Sequence, residues 1–147
     1  MQKTATSSAV KSSFDDFGFA ANDIPWPDEE TVEPASRVWP GEDGEDVYIS
    51  PNGQKLKAYD LVVEFCYKGQ VSTAYAKYKA FRDYLIGVGG FLKIYDPYWG
   101  RGRQNVYVKK CGDLEPFRTN IDEGLCFKVT FCATDPKTEI TLMYVGD

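Results

Sequence analysis

YDLVVEFCYKG at residues 59–69 is followed by QVSTAYAKYKAFRDYLIGVGG at 70–90 and FLKIYDPYWGRGRQNVYVKKC at 91–111, and these three segments carry the clearest hydrophobic pattern of the chain. Apolar residues recur at every second position in the first stretch, at helical spacing in the second, and at every second position again in the third. Glycine lies at both junctions, where the chain must change direction. The pattern predicts a strand, one helix and a strand hairpin that share a core.

The helix is predicted at about 71–87, because its apolar residues fall on one stripe: Val71, Ala74, Tyr75, Tyr78, Phe81 and Leu85. Ser72 or Thr73 is suited to cap its first turn, and Gly87 to end it. In the strand before it, predicted at 56–68, apolar and polar residues alternate as in an antiparallel sheet with one solvated face. We therefore expect the helix stripe to pack on the apolar face of that sheet.

Further strands are predicted on both sides of this core. VYIS (47–50) precedes Asn52-Gly53, a two-residue hairpin signal. After the turn DPYWGRGRQ (96–104), we expect a returning strand, a loop at 114–124, a strand at 125–134 and an edge strand at 140–145. The fold class is α+β and mostly β: an antiparallel β-sandwich or a curled sheet, with one amphipathic helix packed on it.

The first 46 residues differ in character from the rest. Residues 1–13 are small and polar and predict a loose arm, and FDDFGFA (14–20) predicts a short first strand with Phe14, Phe17 and Phe19 as anchors. Residues 21–46 hold four prolines, two tryptophans and a cluster of acids, so no regular element is expected to run through them. We predict an extended N-terminal arm with an acidic, proline-rich loop at 1–46 and the β-sandwich core at 47–147. The arm is either a solvated linker or a segment that packs on a neighbouring subunit.

Composition excludes several kinds of active site. The chain has no histidine, which removes Ser-His-Asp triads, Cys-His pairs and histidine-containing zinc sites. Its formal charge of −5 argues against a surface that binds nucleic acid. Asp96 and Glu64 could be posed as an acid and base pair, but nothing in the sequence fixes their separation. We expect no enzyme, no cofactor, no metal and no small-molecule substrate.

Four cysteines, Cys66, Cys111, Cys126 and Cys132, fall within predicted strands, and no two form a CxxC pair. The N-terminus lacks the apolar core of a signal peptide, so free thiols in a reducing cytoplasm are expected. Cross-strand disulfides in an oxidising setting remain an alternative, as does a soft-metal site if the strands bring all four together. No apolar run approaches the ~20 residues of a membrane span.

The turn after the helix carries the residues that look most functional: Tyr98, Trp99, Arg101 and Arg103. WGRGR lacks the P-loop pattern, so the arginines are either a solvated hairpin tip or a contact for an acidic partner. With Trp26 and Trp39 these residues are the candidate interface. The alternative function is a carbohydrate- or ligand-binding β-sandwich module, in which Trp26, Trp39 and Trp99 stack on sugar rings.

At residues 56–134 the chain resembles structural proteins of long-tailed bacteriophages. In the tail-tube, tail-terminator and distal-tail family, a strand of the LVVEFCYKG kind leads into one helix, here VSTAYAKYKAFRDYLIG. A hairpin such as FLKIYDPYWGRGRQNVYVKK and a strand such as LCFKVTFCAT follow it. WPGEDGEDVYIS, before the long strand, is similar to the corresponding phrase of distal tail proteins.

The resemblance implies a non-enzymatic protein of the virion tail, assembled in the bacterial host cytoplasm. By this resemblance its copies would build a hexameric ring around a lumen that conducts DNA, and the ring would contact other tail proteins. The resemblance implies no sequence-specific binding of nucleic acid, no membrane association and no small-molecule ligand. An acidic lining would let DNA slide through. The acids that could line the lumen or join rings are Asp28, Glu29, Glu30, Glu42, Asp43, Glu45 and Asp46.

Overall fold

The structure, a computed structural model, describes residues 11–22, 24–27, 29–87 and 90–142, together with the backbone of residues 2–3. It contains two compact units. The first, called the body here, comprises the described residues within 1–27 and 58–147, including the backbone of residues 2–3. The second comprises residues 29–57 and is called the acidic ribbon. The predicted boundary between residues 46 and 47 stays a prediction.

The body is built on one antiparallel sheet. Its long strands are β5 (Tyr59–Lys68), β6 (Leu92–Asp96), β7 (Arg101–Arg118) and β8 (Glu123–Ala133). The short strands β1 (Gln2–Lys3) and β2 (Ala20–Ala21) lie at its edges, and the order is β1-β6-β7-β8-β5-β2. The ribbon contains a separate pair, β3 (Ser36–Arg37) and β4 (Asp46–Val47). The predicted class, mostly β with one helix, is confirmed, and its main sheet is continuous.

The core lies between one face of this sheet and the helix α1 (Val71–Ile86). β5 and β8 pair over their whole length, with Phe65 opposite Phe127. These two rings pack on Phe81 of the helix, with ring centroids 5.1 and 5.9 Å away. The alternation predicted for the strand at 56–68 is thus confirmed in β5, and β8 shows the same pattern: one face of each strand is buried in an aromatic core, and the other is half-solvated.

Phe19 joins this core from the N-terminal part of the chain. Its side chain is fully buried, and its ring centroid lies 4.9 Å from that of Phe127. Gly18 has a φ of 82°, in the left-handed region that favours glycine. A Cβ there would lie 3.2 Å from the ring of Tyr67. The turn before β2 therefore belongs to the body, and Phe19 is one of the predicted anchors. The strand predicted at 14–20 is wrong over most of its length, because β2 begins only at Ala20.

The helix begins and ends almost where predicted, but its first turn is capped differently. Neither Ser72 nor Thr73 caps it, and the N-cap residue Gln70 makes no side-chain capping bond. Instead, the Val71 N–H donates to Oε1 of Glu123 on β8, at 3.2 Å. A carboxylate at this end also interacts favourably with the helix dipole. The cap comes from a distant strand, which the local sequence does not reveal.

The predicted loop at 114–124 is wrong over most of its length. β7 continues to Arg118, and β8 begins at Glu123 after a short turn. Two register shifts, between Val108 and Lys110 and between Gly112 and Glu115, bend the long strand. Ile140 donates its N–H to the Gly102 carbonyl without forming a strand, and residues 143–145 lie outside the described residues. No helix in the described part of the chain is long and apolar enough to cross a membrane.

Candidate interaction surfaces

The turn between β6 and β7 is fixed by Asp96. Its backbone carbonyl accepts the Gly100 N–H at 2.8 Å, and its side-chain Oδ1 accepts the Tyr98 N–H at 3.0 Å. Gly100 has a φ of 69°, which closes the turn in the left-handed region. Residues 97–100, called the aromatic tip here, are therefore held by hydrogen bonds at both ends.

Asp96 is itself held from the body. It is 8% exposed, and its Oδ2 accepts the indole Nε1–H of Trp26 at 3.2 Å. The guanidinium of Arg101 lies over the Trp26 ring, 4.6 Å from its centroid, as in a cation–π contact. Because a buried carboxylate is stabilised by donors, the Trp26 bond keeps Asp96 in place. The predicted interface residues Trp26 and Arg101 thus support the tip from within.

The two side chains at the tip point outward. Tyr98 is 86% exposed and Trp99 59% exposed, and their rings meet edge to face at 83° with centroids 6.4 Å apart. Tyrosine and tryptophan are enriched among the residues that dominate binding at protein interfaces. The structure therefore presents two large aromatic side chains on a turn that is already ordered.

Arg103 corrects the expectation of a solvated arginine tip. It is 1% exposed and lies inside the body. Its Nε donates to the Tyr59 hydroxyl at 3.0 Å, and its Nη1 donates to the Gly102 carbonyl at 3.0 Å and to Glu139 at 3.4 Å. A buried guanidinium needs such acceptors, because its charge is otherwise left without solvation. Arg103 is therefore a structural residue that ties the segment after β8 to the sheet.

The acidic ribbon is held together by backbone bonds. Beyond the β3–β4 pair, the Val32 N–H donates to the Lys55 carbonyl at 2.6 Å, and the Lys57 N–H donates to that of Glu30 at 2.7 Å. Asn52 and Gly53 lie in a turn that the Gly53 N–H closes by donating to the Ser50 carbonyl at 3.0 Å, and Gly53 has a φ of 91°. The hairpin predicted around this turn is absent from the described ribbon, because the strand predicted at 47–50 is reduced to β4, which pairs with β3. The chain reverses between Arg37 and Asp46 instead, so that residues 31–37 run antiparallel to 46–56.

No residue of the ribbon, over its described range 29–57, is buried. Its large apolar side chains are exposed by 43 to 68%: Val32, Val38, Trp39, Val47, Tyr48 and Ile49. One face of the Trp39 ring is covered by the guanidinium of Arg37 at 4.4 Å. An ordered segment with exposed apolar side chains and no core is unusual for a soluble monomer. It is the feature that most clearly suggests a partner surface.

The negative charge of the chain is concentrated in the same segment. Residues 28–57 hold eight acidic and three basic residues, so their formal charge equals the −5 of the whole chain. The rest of the chain has fourteen of each sign. Within the described ribbon, Lys57 lies 3.9 Å from Glu30, whereas Glu42, Asp43, Glu45 and Asp46 form no ion pair. Asp28 lies outside the described residues, and the lumen role of all these acids stays a prediction.

Cys66 and Cys126 form a disulfide, which corrects the expectation of four free thiols. They lie directly opposite each other on β5 and β8, with their Cα atoms 4.1 Å apart. Cys111 and Cys132 are free, and burial raises the pKa of the Cys111 thiol. In the described chain, the one group of side chains close enough together to ligate a metal ion is Glu64 with Cys66 and Cys126. Both sulfurs are already bonded to each other in the disulfide.

The two carboxylates considered for catalysis accept hydrogen bonds from neighbouring residues. Both oxygens of Asp96 accept hydrogen bonds from Trp26 and Tyr98, and Glu64 accepts one from the Asn22 amide. Next to Asp96 lies a cavity of ≈ 330 Å³, whose apolar walls include Ile24, Phe65 and Phe131. Its size falls within the range of small-molecule sites.

Comparison with known proteins gives no family assignment. No family model, curated protein or solved structure matches this chain. The interpretation of these surfaces therefore rests on their geometry. Sequence reasoning missed the ribbon's lack of buried residues and the role of Asp96, and it gave a cross-strand disulfide only as the alternative to free thiols. Of these, only Asp96 left a local signal, because Asp-Pro at a strand end is typical of a turn.

Proposed function

We propose that this protein is a non-enzymatic structural subunit that assembles with copies of itself into a ring. The acidic ribbon carries this proposal, because it is ordered, exposes six large apolar side chains and contains no buried residue in its described range. The order of strands and helix in the body agrees with the phage-tail resemblance. We therefore propose a virion tail as the setting, with a hexameric ring and other tail proteins as partners.

A free-energy argument favours a partner for the ribbon. Ordering the backbone opposes folding by roughly 1–2 kcal/mol per residue, and an isolated two-stranded hairpin is at best marginally stable in water. Fully burying an exposed valine, isoleucine or similar side chain contributes about 1.5–3 kcal/mol. Six partly exposed side chains would together provide several kcal/mol at an interface. Assembly thus supplies the stabilisation that the ribbon lacks by itself.

The aromatic tip provides a second contact. Its backbone is already fixed by Asp96, so little conformational entropy is lost when Tyr98 and Trp99 bind a partner. Such pre-ordered aromatic side chains are the usual centres of binding energy. The tip belongs to the body and the ribbon is the second unit, so the chain offers two candidate contacts. A ring subunit needs two, since each copy contacts two neighbours.

Light scattering after size-exclusion chromatography tests the proposal. Over a range of concentrations, the full chain should form one oligomer of fixed mass, and Trp99→Ser should weaken it. Phe14→Ser, which alters another exposed aromatic residue, is the matched control and should leave the mass unchanged. A wild-type chain that stays monomeric at the highest concentration would contradict the proposal.

Binding of a small ligand is a second candidate, supported by the cavity beside Asp96. Its apolar walls suit an apolar ligand better than a sugar. The tip also does not form a flat sugar platform, because the Tyr98 and Trp99 rings are nearly perpendicular. Enhanced fluorescence of anilinonaphthalene sulfonate with the native protein would support this candidate, and no enhancement would contradict it.

A further inference from the structure

We infer that the acidic ribbon of one copy docks head to tail on the body of a second copy, and not on the second copy's ribbon. The inference rests on the self-assembly proposed above and adds which surfaces meet.

The ribbon has the dimensions of an interface. A standard protein interface engages about 20–30 residues on each side. The described ribbon spans 29–57, and its apolar side chains are interspersed with polar ones. Trp39 and Tyr48, exposed by 43 and 68%, are the residues most suited to anchor it. The ribbon is therefore large enough to form one complete interface.

Charge decides what the ribbon can contact. Residues 28–57 carry the full formal charge of −5, so two ribbons placed together would bring −5 against −5. Glu42, Asp43, Glu45 and Asp46 form no ion pair that would reduce this repulsion within the described chain. Like charges placed opposite each other in an interface strongly oppose association. A two-fold, ribbon-to-ribbon dimer is therefore disfavoured.

The body of a second copy does not oppose docking in this way. Outside residues 28–57 the chain has equal numbers of acidic and basic residues. Several of them pair within the body, as in Lys109 with Asp60 at 2.9 Å and Lys68 with Asp122 at 3.2 Å. A contact between two different surfaces is heterologous, and repeating it gives a closed ring or an open filament. The charge division thus leads to the symmetry that a ring requires.

A mixing experiment tests this directionality. The double variant Trp39→Ser, Tyr48→Ser changes only exposed ribbon side chains, so it keeps a body that can receive a wild-type ribbon but has no functional ribbon to donate. When the variant is mixed with wild type at about tenfold excess, a variant body should occupy each wild-type ribbon and stop further assembly. Native mass spectrometry should then show the wild-type oligomer replaced by one-to-one dimers of wild type and variant. Ile121→Ser, a body variant at a 91% exposed position, is the control and should enter full-size oligomers.

The other outcomes overturn the inference. If the double variant leaves the wild-type oligomer intact, the body of the variant does not bind a wild-type ribbon. If the variant is incorporated into oligomers of the wild-type mass, the ribbon is not the contact between copies. A wild type that is monomeric removes the proposed function as well, so the two failures are distinguishable. As a second measurement, Glu42→Gln, Asp43→Asn, Glu45→Gln and Asp46→Asn together should change the assembly constant less than about tenfold. A tightening of more than tenfold would show that ribbons repel each other in the interface.

Discussion

Loss of the Cys66–Cys126 disulfide should strongly lower the stability of the body. The bond joins residues 60 apart in sequence, and it limits the unfolded chain to conformations in which this loop is closed. For a loop of this length the chain-entropy relation gives about 4 kcal/mol. In a chain of this size that corresponds to a melting temperature lower by roughly 10 °C. The double variant Cys66→Ser, Cys126→Ser and chemical reduction of the wild type should both show this loss.

The assay is urea unfolding, followed by tyrosine and tryptophan fluorescence, with and without a phosphine reductant. Intact mass after thiol alkylation establishes whether the two cysteines are bonded in each sample. Cys111→Ser is the matched control, because that cysteine is free and partly buried, and its variant should still respond to the reductant. If oxidised and reduced wild-type protein unfold at the same urea concentration, the reasoning is refuted.

Three further perturbations have defined outcomes. Phe19→Ala removes a fully buried ring and should lower the free energy of unfolding by about 3–5 kcal/mol. The control Phe14→Ala, at an exposed position, should change it by less than about 0.5 kcal/mol. Equal effects of the two variants in thermal melts would contradict the packing of Phe19 in the core. Glu123→Ala removes the acceptor of the Val71 N–H and should lower the free energy of unfolding, measured in urea, by about 1 kcal/mol. An unchanged free energy of unfolding would mean that this cap does not stabilise the helix. Burial, and after it the interaction with the Cys111 side chain, raises the pKa of Tyr78 to about 12. Since its folded pKa lies above the unfolded value of 10.0, its contribution to stability is full below pH 10 and is lost as the pH rises towards 12. Tyr78→Phe should flatten this fall, and an identical pH profile would contradict the assignment.

Local periodicity was sufficient to predict the centre of the fold. The helix stripe holds for Ala74, Tyr78, Phe81 and Leu85, which are all buried. Tyr75 follows the same spacing and yet is 45% exposed, since it lies at the edge of the stripe. Alternation along β5 and β8 identified their buried faces, because side chains on a strand alternate by geometry. These features depend only on neighbours in the sequence.

Features that depend on strand register could not be predicted. Cys66 lies opposite Cys126 only because β5 and β8 pair in one register, and the sequence does not specify it. Arg103 is an arginine and would ordinarily be expected at the surface. It is buried because Tyr59 and Glu139, both distant in sequence, accept hydrogen bonds from its guanidinium. A loop was predicted at 114–124, but its first five residues belong to β7, because strand pairing with β8 overrides the local preference.

The candidate surfaces were partly predictable. Proline, tryptophan and acidic residues marked the ribbon segment as distinctive, but composition alone could not distinguish a linker from an ordered ribbon. Its backbone pairing supplies that distinction. The aromatic tip was predicted from its sequence, whereas its support by Trp26 joins residues 70 apart and could be found only in the structure.

Negative-stain electron microscopy of the full chain shows directly whether the protein assembles into rings. Wild-type protein should give annular particles of uniform diameter. These particles should disappear in the Trp39→Ser, Tyr48→Ser variant, whose body remains folded by circular dichroism. Wild-type fields that contain only single small particles, at concentrations where light scattering finds no larger species, would contradict ring assembly.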